Sequence, residues 1–123
     1  MSDKSIEQEI QDKGLNAPRI TPAIVEANIA SEHYFTGDRA VVAMFSDNVI
    51  SGTAADAYKA LSLLTFCVLV LRNGFTITGT SACASPENFD AEIGQKIARQ
   101  NAVAQVWPLM GYSLKQQLHN GGL

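Results

Sequence analysis

The stretch Leu63–Trp107, LLTFCVLVLRNGFTITGTSACASPENFDAEIGQKIARQNAVAQVW, decides the fold. Its first half holds two β-rich runs separated by Asn73-Gly74, a pair that tolerates positive φ at both positions and favours a two-residue type I′ turn. A turn of that length sets the register: Arg72 faces Phe75, Val70 faces Ile77, Val68 faces Gly79 and Phe66 faces Ser81. Phe66, Val68, Val70, Phe75 and Ile77 then share one face, which reads as the core face. On the other face Cys67, Leu69 and Leu71 stand opposite Thr80, Thr78 and Thr76. That second face is too apolar on its first strand to be simply solvated, so another element, a partner subunit or a ligand covers it. Cys67 faces Thr80 in this register and not Cys83, so no cross-strand disulfide is set up.

The second half of the stretch reads as a long helix. Ser85 supplies an N-cap and Pro86 an N1 residue, with Glu87, Asp90 and Glu92 at the positive end of the dipole and Lys96 and Arg99 further along. Phe89, Ile93, Ile97, Ala104 and Trp107 fall in one arc, expected to pack on the hairpin. Ala91, Gly94, Ala98 and Ala102 form a second arc of small residues that admits another helix closely, from this chain or a second subunit. Pro108 is expected to end or kink the helix at Trp107, after which Met110, Leu114 and Leu118 resume a helical pattern and Gly121-Gly122 closes the chain.

Upstream, residues 4–14 suit a short amphipathic helix with Ile6 and Ile10 on one side and Gly14 as its stop. Two isoleucines bury too little to hold it unaided, so it docks on its own core or on a neighbouring subunit, or stays loose. Thr21-Pro22 starts a helix expected to run to about His33, and Tyr34-Phe35 leads into a loop at Thr36-Gly37-Asp38. Ala40–Phe45 suits a strand, Ser46-Asp47-Asn48 a turn and Val49-Ile50 a short return, with a folded flap as the alternative for the whole region. Thr53–Leu63 reads as helix, with Thr53 as its cap and Ala54, Ala57, Tyr58 and Leu61 on one face.

The elements make an α+β chain: a small antiparallel sheet centred on a hairpin at about 64–82, packed against a helix at about 86–107, with N-terminal and C-terminal helices around them. At 123 residues this is a single domain, residues 1–19 forming an arm. The net charge of −3 and pI near 5.2 argue against nucleic acid as a partner, because phosphate backbones select basic surfaces. The longest apolar run, Leu63–Leu71, is about half what spans a bilayer, and the charged N-terminus lacks the apolar region of a secretory signal. A cytosolic location and reduced cysteines follow. Two Cys and two distant His (His33, His119) offer no metal-ligand spacing.

The block from Leu64 (LTFCVLVLRNGFTITGTSACASPENFDAEIGQKIARQNAV, then WPLMGY) resembles a family of small tailed-phage and prophage proteins, known by gene product forty-nine of a coliphage and gene sixty-six of a Shigella phage. The run IEQEIQDKGLNAPRITPAIVEANIASEHYF is similar to the same family, so the resemblance spans most of the chain outside residues 39–62. It implies a phage or prophage origin and action in the bacterial host cytoplasm, and it brings no mechanism. This chain departs from the family at Thr80 (GTSA), where members commonly carry an acid.

Catalytic signatures are absent. Ser81, Ser85, Cys67 and Cys83 are nucleophile types, yet neither histidine has a sequence context tying it to one, and Ser85 is explained as a cap. Asp90 and Glu92 do not form an acid–base pair by their helical spacing. The Gly79–Ser85 loop leads to a helix start but lacks phosphate-loop glycines. The remaining candidate set is ligand-binding: Arg72, Asn73, Thr78, Ser81, Lys96, Arg99, Trp107 and Tyr112, cations and rings suited to a nucleotide by charge and stacking. The Leu69/Leu71 face, the small-residue arc and the Ile6/Ile10 stripe suggest a homo-oligomer. The expectation is a non-enzymatic phage accessory protein without cofactor or metal that binds and sequesters a small nucleotide immune signal. The alternative is an interaction module that inhibits a host protein through an exposed apolar face.

Overall fold

In the computed structural model, which describes residues 2–44 and 53–122, a three-stranded antiparallel sheet carries one long helix on one face. Among the described residues five α-helices and three strands follow in the order α1 (Asp3–Asp12), α2 (Pro22–Ala27), β1 (Ile29–Thr36), α3 (Gly37–Met44), α4 (Thr53–Leu61), β2 (Leu64–Leu71), β3 (Thr76–Ala82) and α5 (Ala91–His119). The sheet order is β1-β2-β3, so the hairpin's first strand is central. This is the expected α+β architecture, with several elements relocated.

The hairpin forms, but one residue out of the expected register. Val68 pairs with Thr78 and Cys67 with Gly79, in place of Val68 with Gly79 and Cys67 with Thr80. The cause lies in the turn. Gly74 N donates to Leu71 O at 2.9 Å and Leu71 N donates to Phe75 O at 2.8 Å, so Arg72, Asn73 and Gly74 make a three-residue loop. Only Gly74 has positive φ there, at 89°, whereas a type I′ turn needs it at Asn73 as well. Asn73 instead accepts the Phe75 N–H on its Oδ1 at 2.9 Å. A type I turn followed by a left-handed glycine is the next commonest hairpin connection. Because strand side chains alternate, that single step exchanges the partners of every residue. Leu69 and Leu71 join Ile77 and Phe75 on the core face, while Phe66, Val68 and Val70 stand with Thr80, Thr78 and Thr76 on the other.

Burial follows the corrected register. Cys67, Leu69, Leu71 and Ile77 lie in the core with Val25, Ala98, Ala102 and Val106. Full burial of a Leu or Val side chain is worth roughly 1.5–3 kcal/mol. The face expected to be the core, Phe66, Val68 and Val70, is only half-buried.

Helix α5 also turns over relative to expectation. Its buried stripe is Gly94, Ala98 and Ala102 of the small-residue arc together with Val106; Ala91 of that arc is exposed, and Ile93 and Ile97 of the bulky arc remain 57% and 41% exposed. Close approach explains the exchange. A methyl group at Gly79 would collide with the Ala98 carbonyl oxygen and the Ala102 nitrogen, and one at Gly94 would lie 2.9 Å from Thr65 Oγ1. The helix lies on the sheet so closely that only small side chains fit between.

The helix termini differ too. Ser85-Pro86 opens a short 3-10 turn (Pro86–Asn88), and Ser85 makes no side-chain cap. Asp90 caps α5, its Oδ1 accepting from Ile93 N at 3.0 Å. Pro108 does not end the helix, which continues to His119. Proline removes one N–H that would reach Ala104 O, and Ala104 is solvent-exposed, so water can satisfy that carbonyl.

Residues 29–36, expected as the end of a helix and a loop, are strand β1. It pairs with β2 from Ile29↔Leu71 to Thr36↔Thr65, with a bulge between Ile29 and Ser31. Residues 40–44, expected as strand, belong to helix α3. The turn at 46–48 and the return at 49–50 lie outside the described residues, as does the capping role of the Thr53 side chain; the helix expected over 53–63 forms as α4 and ends at Leu61. The arm docks on its own chain: α1 contacts α2, and Arg19 Nη2 donates to Glu7 Oε2 at 2.7 Å. Hydrogen bonds from Arg19 hold the Glu7 carboxyl down at about 2.

The contact at Gly79 sets a prediction. Gly79→Ala should cost about 3 kcal/mol, as overpacking of a tight contact does. Gly111→Ala, on helix α5 with open space around it, should be neutral or gain a fraction of about 1 kcal/mol from helix propensity. Urea midpoints of the two variants check the contrast.

Candidate functional site

The candidate ligand residues are distributed by the fold to several places. Arg72 and Asn73 sit at the hairpin tip, 44 residues from Asn28 in sequence but joined to it by Arg72 N donating to Asn28 O at 2.9 Å. Thr78 is on the exposed outer face of the sheet, and Ser81 pairs with Thr65 on the helix-bearing side. Tyr112 is 74% exposed on α5. Lys96, Arg99 and Trp107 do come together, lining one hollow of about 890 Å³ with Lys4 of the arm. The set expected as one cleft is therefore two locations and three separate residues.

Electrostatics decides what the Trp107 hollow can do. Arg99 is already occupied: its Nη1 and Nη2 bond the two carboxylate oxygens of Glu26 at 3.1 and 2.7 Å, and its Nε bonds Glu32 Oε2 at 3.0 Å. All three directions of the guanidinium fork are filled. Arg99 holds the Glu26 carboxyl below the ordinary carboxylate range, and the two acids hold the guanidinium's own pKa up. Lys96 pairs with Glu92 at 3.2 Å, an exposed contact of small energy. Asp3 and Glu26 line the same hollow, so its positive balance is slight. An incoming anion must displace Glu26 and Glu32 before it meets Arg99.

The candidate nucleophiles do not meet a base in this fold. His33 pairs with Val68 and projects on the outer face, while Ser81 and Cys67 belong to the opposite face. His33 Nε2 lies 3.0 Å from Ser31 Oγ, its neighbour two residues back on the same face. Burial pushes the Cys67 thiol pKa up, which leaves it protonated and packed. Tyr34, its cross-strand neighbour, is likewise raised, by burial first and by its hydrogen bond to Glu32 next.

The feature that sequence reasoning missed is the outer face of the sheet. Helix α5 packs against β2 and β3 from one side. On the other side stand three rows: Ser31, His33 and Phe35 from β1; Phe66, Val68 and Val70 from β2; Thr80, Thr78 and Thr76 from β3. None of these nine residues is Asp, Glu, Lys or Arg. Phe35 and Phe66 stack at a centroid distance of 5.0 Å and 16° between planes. The central row is half-buried, and the threonines are exposed. A signal existed for this face in the alternation Ser31, His33, Phe35, but helical spacing further upstream masked it.

The edge of the sheet is handled differently. Pairing at Leu71/Phe75, repeated every second residue to Leu63/Cys83, turns the backbone of Thr76, Thr78 and Thr80 away from β2. Two side chains of α5 occupy the carbonyls this exposes. Asn101 Nδ2 donates to Thr80 O and Gln105 Nε2 to Thr78 O, both at 2.8 Å. The β3 edge is thus blunted against strand addition.

The sequence model of the phage protein (N4 Gp49/phage Sf6 gene 66) family matches residues 20–118, everything from the entry to α2 to the last turn of α5. Among curated proteins and among solved structures, nothing matches the chain. Among the described residues no helix is long and apolar enough to cross a membrane.

The Arg99 clamp has a signed pH dependence. Glu26 is lowered, so its contribution to stability is complete above the ordinary carboxylate range and is lost as the pH falls through its folded-state value. Arg99→Gln should return the Glu26 carboxyl toward its ordinary titration, moving its midpoint up. Carboxyl-carbon NMR titration of Glu26 in both proteins reads this directly.

Proposed function

We propose, for a chain that belongs to the phage protein (N4 Gp49/phage Sf6 gene 66) family, a non-enzymatic accessory role in the host cytoplasm, exerted by binding a host protein on the open face of its sheet. The observation that carries this reading is the uncharged nine-residue face with its Phe35–Phe66 stack and the Val68–Val70 row beside it. A contiguous apolar strip rimmed by threonine and serine is what interaction surfaces present, since single exposed apolar residues are ordinary but a continuous patch is not. Aromatic pairs at the centre of such a patch are the residue type that dominates binding energy. The blunted β3 edge favours side-chain docking on the face over a strand added beside β3.

Two of the three features that suggested self-association by sequence are occupied within the chain: Leu69 and Leu71 lie under α5, and the small arc meets the sheet. Ile6, 42% exposed, and Ile10 line a hollow with Trp107 and Ile20. A homo-oligomer now rests on the outer face, where a second copy would compete with a host protein.

Val68→Lys places a charge at the centre of the face without touching the core. Expected outcomes are an unchanged urea midpoint within about 0.5 kcal/mol and loss of the host protein captured from lysate by the tagged wild type. Capture that survives Val68→Lys overturns the assignment of the face. Light scattering on both proteins shows whether self-association uses it as well.

A second reading, sequestration of a small nucleotide, is supported by the three cations Lys4, Lys96 and Arg99 beside Trp107. Trp107 is the only tryptophan, so its fluorescence reports on that hollow. If nucleotides bind there, Glu26→Gln should tighten cyclic or ADP-ribose-type ligands by freeing Arg99. Absence of a fluorescence change at millimolar nucleotide in both proteins excludes this reading.

A further inference from the structure

Helix α5 outlasts the sheet it packs on. Its 29 residues extend about 43 Å at 1.5 Å each, against about 26 Å for the eight residues of β2. The overhang beyond the hairpin tip leaves a concavity of about 720 Å³, walled by α2, the tip and the last three turns of α5. Its lining is mainly apolar, with Ile24, Phe75 and Leu109 among its members, and these three are 43%, 54% and 42% exposed. The volume is within the roughly 300–1,000 Å³ range of small-ligand pockets.

Among the described residues one formal charge lines this bowl, that of Arg72, and no acid does. Its position is fixed by its own backbone bond to Asn28 and by Nε donating to Ala27 O at 3.0 Å. Among the described residues its two terminal nitrogens have no hydrogen-bond or ion-pair partner, in contrast to Arg19 and Arg99. A held guanidinium beside an apolar floor, with Asn28, Asn73 and Ser113 as neutral polar neighbours, asks for a partner that is apolar over most of its length and singly anionic at one end. The α2 wall is only six residues, about 9 Å, so the space is a bowl for a small molecule and too short for several turns of a bound helix.

We infer that the concavity at the hairpin tip is a binding site for an amphiphilic monocarboxylate, its carboxylate on Arg72 and its apolar body against Phe75, Ile24 and Leu109. The site lies on the helix-bearing side of the sheet, is independent of the outer face, and stands or falls separately from the host-protein reading. The planar fork suits a carboxylate, and a phosphate monoester would bring a second charge that the bowl's single cation leaves uncompensated against its apolar lining.

Titration calorimetry with decanoate, 1-decanol and decyltrimethylammonium tests this on the full chain. The wild type should bind decanoate about tenfold or more tighter than decanol, the factor of a charge-assisted hydrogen-bond pair, and should not bind the ammonium. Arg72→Gln should bring decanoate down to the affinity of decanol and leave decanol unchanged. Phe75→Glu, on a half-exposed side chain at the bowl's edge, should weaken decanoate more than decanol. Urea midpoints establish that both variants are folded. Equal affinity of the wild type for decanoate and decanol, decanoate binding that survives Arg72→Gln, or no decanoate binding at millimolar concentration overturns the proposal.

Discussion

The contact between Gly79 and the backbone of α5 at Ala98 and Ala102 is the constraint on which the rest of this structure depends. A helix normally stands off a sheet by the thickness of two layers of side chains. Here the missing side chain of Gly79, helped by Gly94 over Thr65, lets the helix settle onto the central and edge strands. Everything bulky must then go elsewhere. Leu69, Leu71, Ile77 and Val106 fill the space toward the hairpin tip, and Val25 closes it from α2. Ile93 and Ile97 are turned outward.

A tight helix on one face accounts for the other features of the surface. At this separation Asn101 and Gln105, one helical turn apart, reach the free carbonyls of β3 and protect that edge. The helix also brings Arg99 against Glu26 and Glu32 from two different elements, so the strongest cation near Trp107 is neutralised by the act of folding. What the fold leaves unsatisfied is therefore not the positive hollow beside Trp107. It is the uncharged outer face of the sheet, together with the apolar bowl where the helix overruns the hairpin.

Much of this was legible in the residues. The hairpin, the long helix, the arm and the α+β class follow from local patterning, because turn residues, caps and apolar periodicity act over a few neighbours. Strand β1 was not legible. Its residues continue the helical spacing of Ile24 and Val25, and only pairing with the free edge of β2 makes extended backbone the better choice. The site was legible only in part: Arg72 and Asn73 do line a concavity, and Lys96, Arg99 and Trp107 do share one, but Thr78, Ser81 and Tyr112 belong to neither.

By itself the sequence determined which segments become strand-turn-strand and helix around residues 64–119, and it determined the family resemblance. The tertiary structure alone decided which face of each is inside. Asn73-Gly74 permits both a two-residue and a three-residue loop, and the two differ locally by little. They differ globally by which face of β2 joins Phe75 and Ile77 in the core. The choice falls to the register that sets Gly79 and Cys67 beneath Ala98 and Ala102, since only there can helix and sheet close on one another. That packing energy is summed over the whole interface, and no window of the sequence contains it.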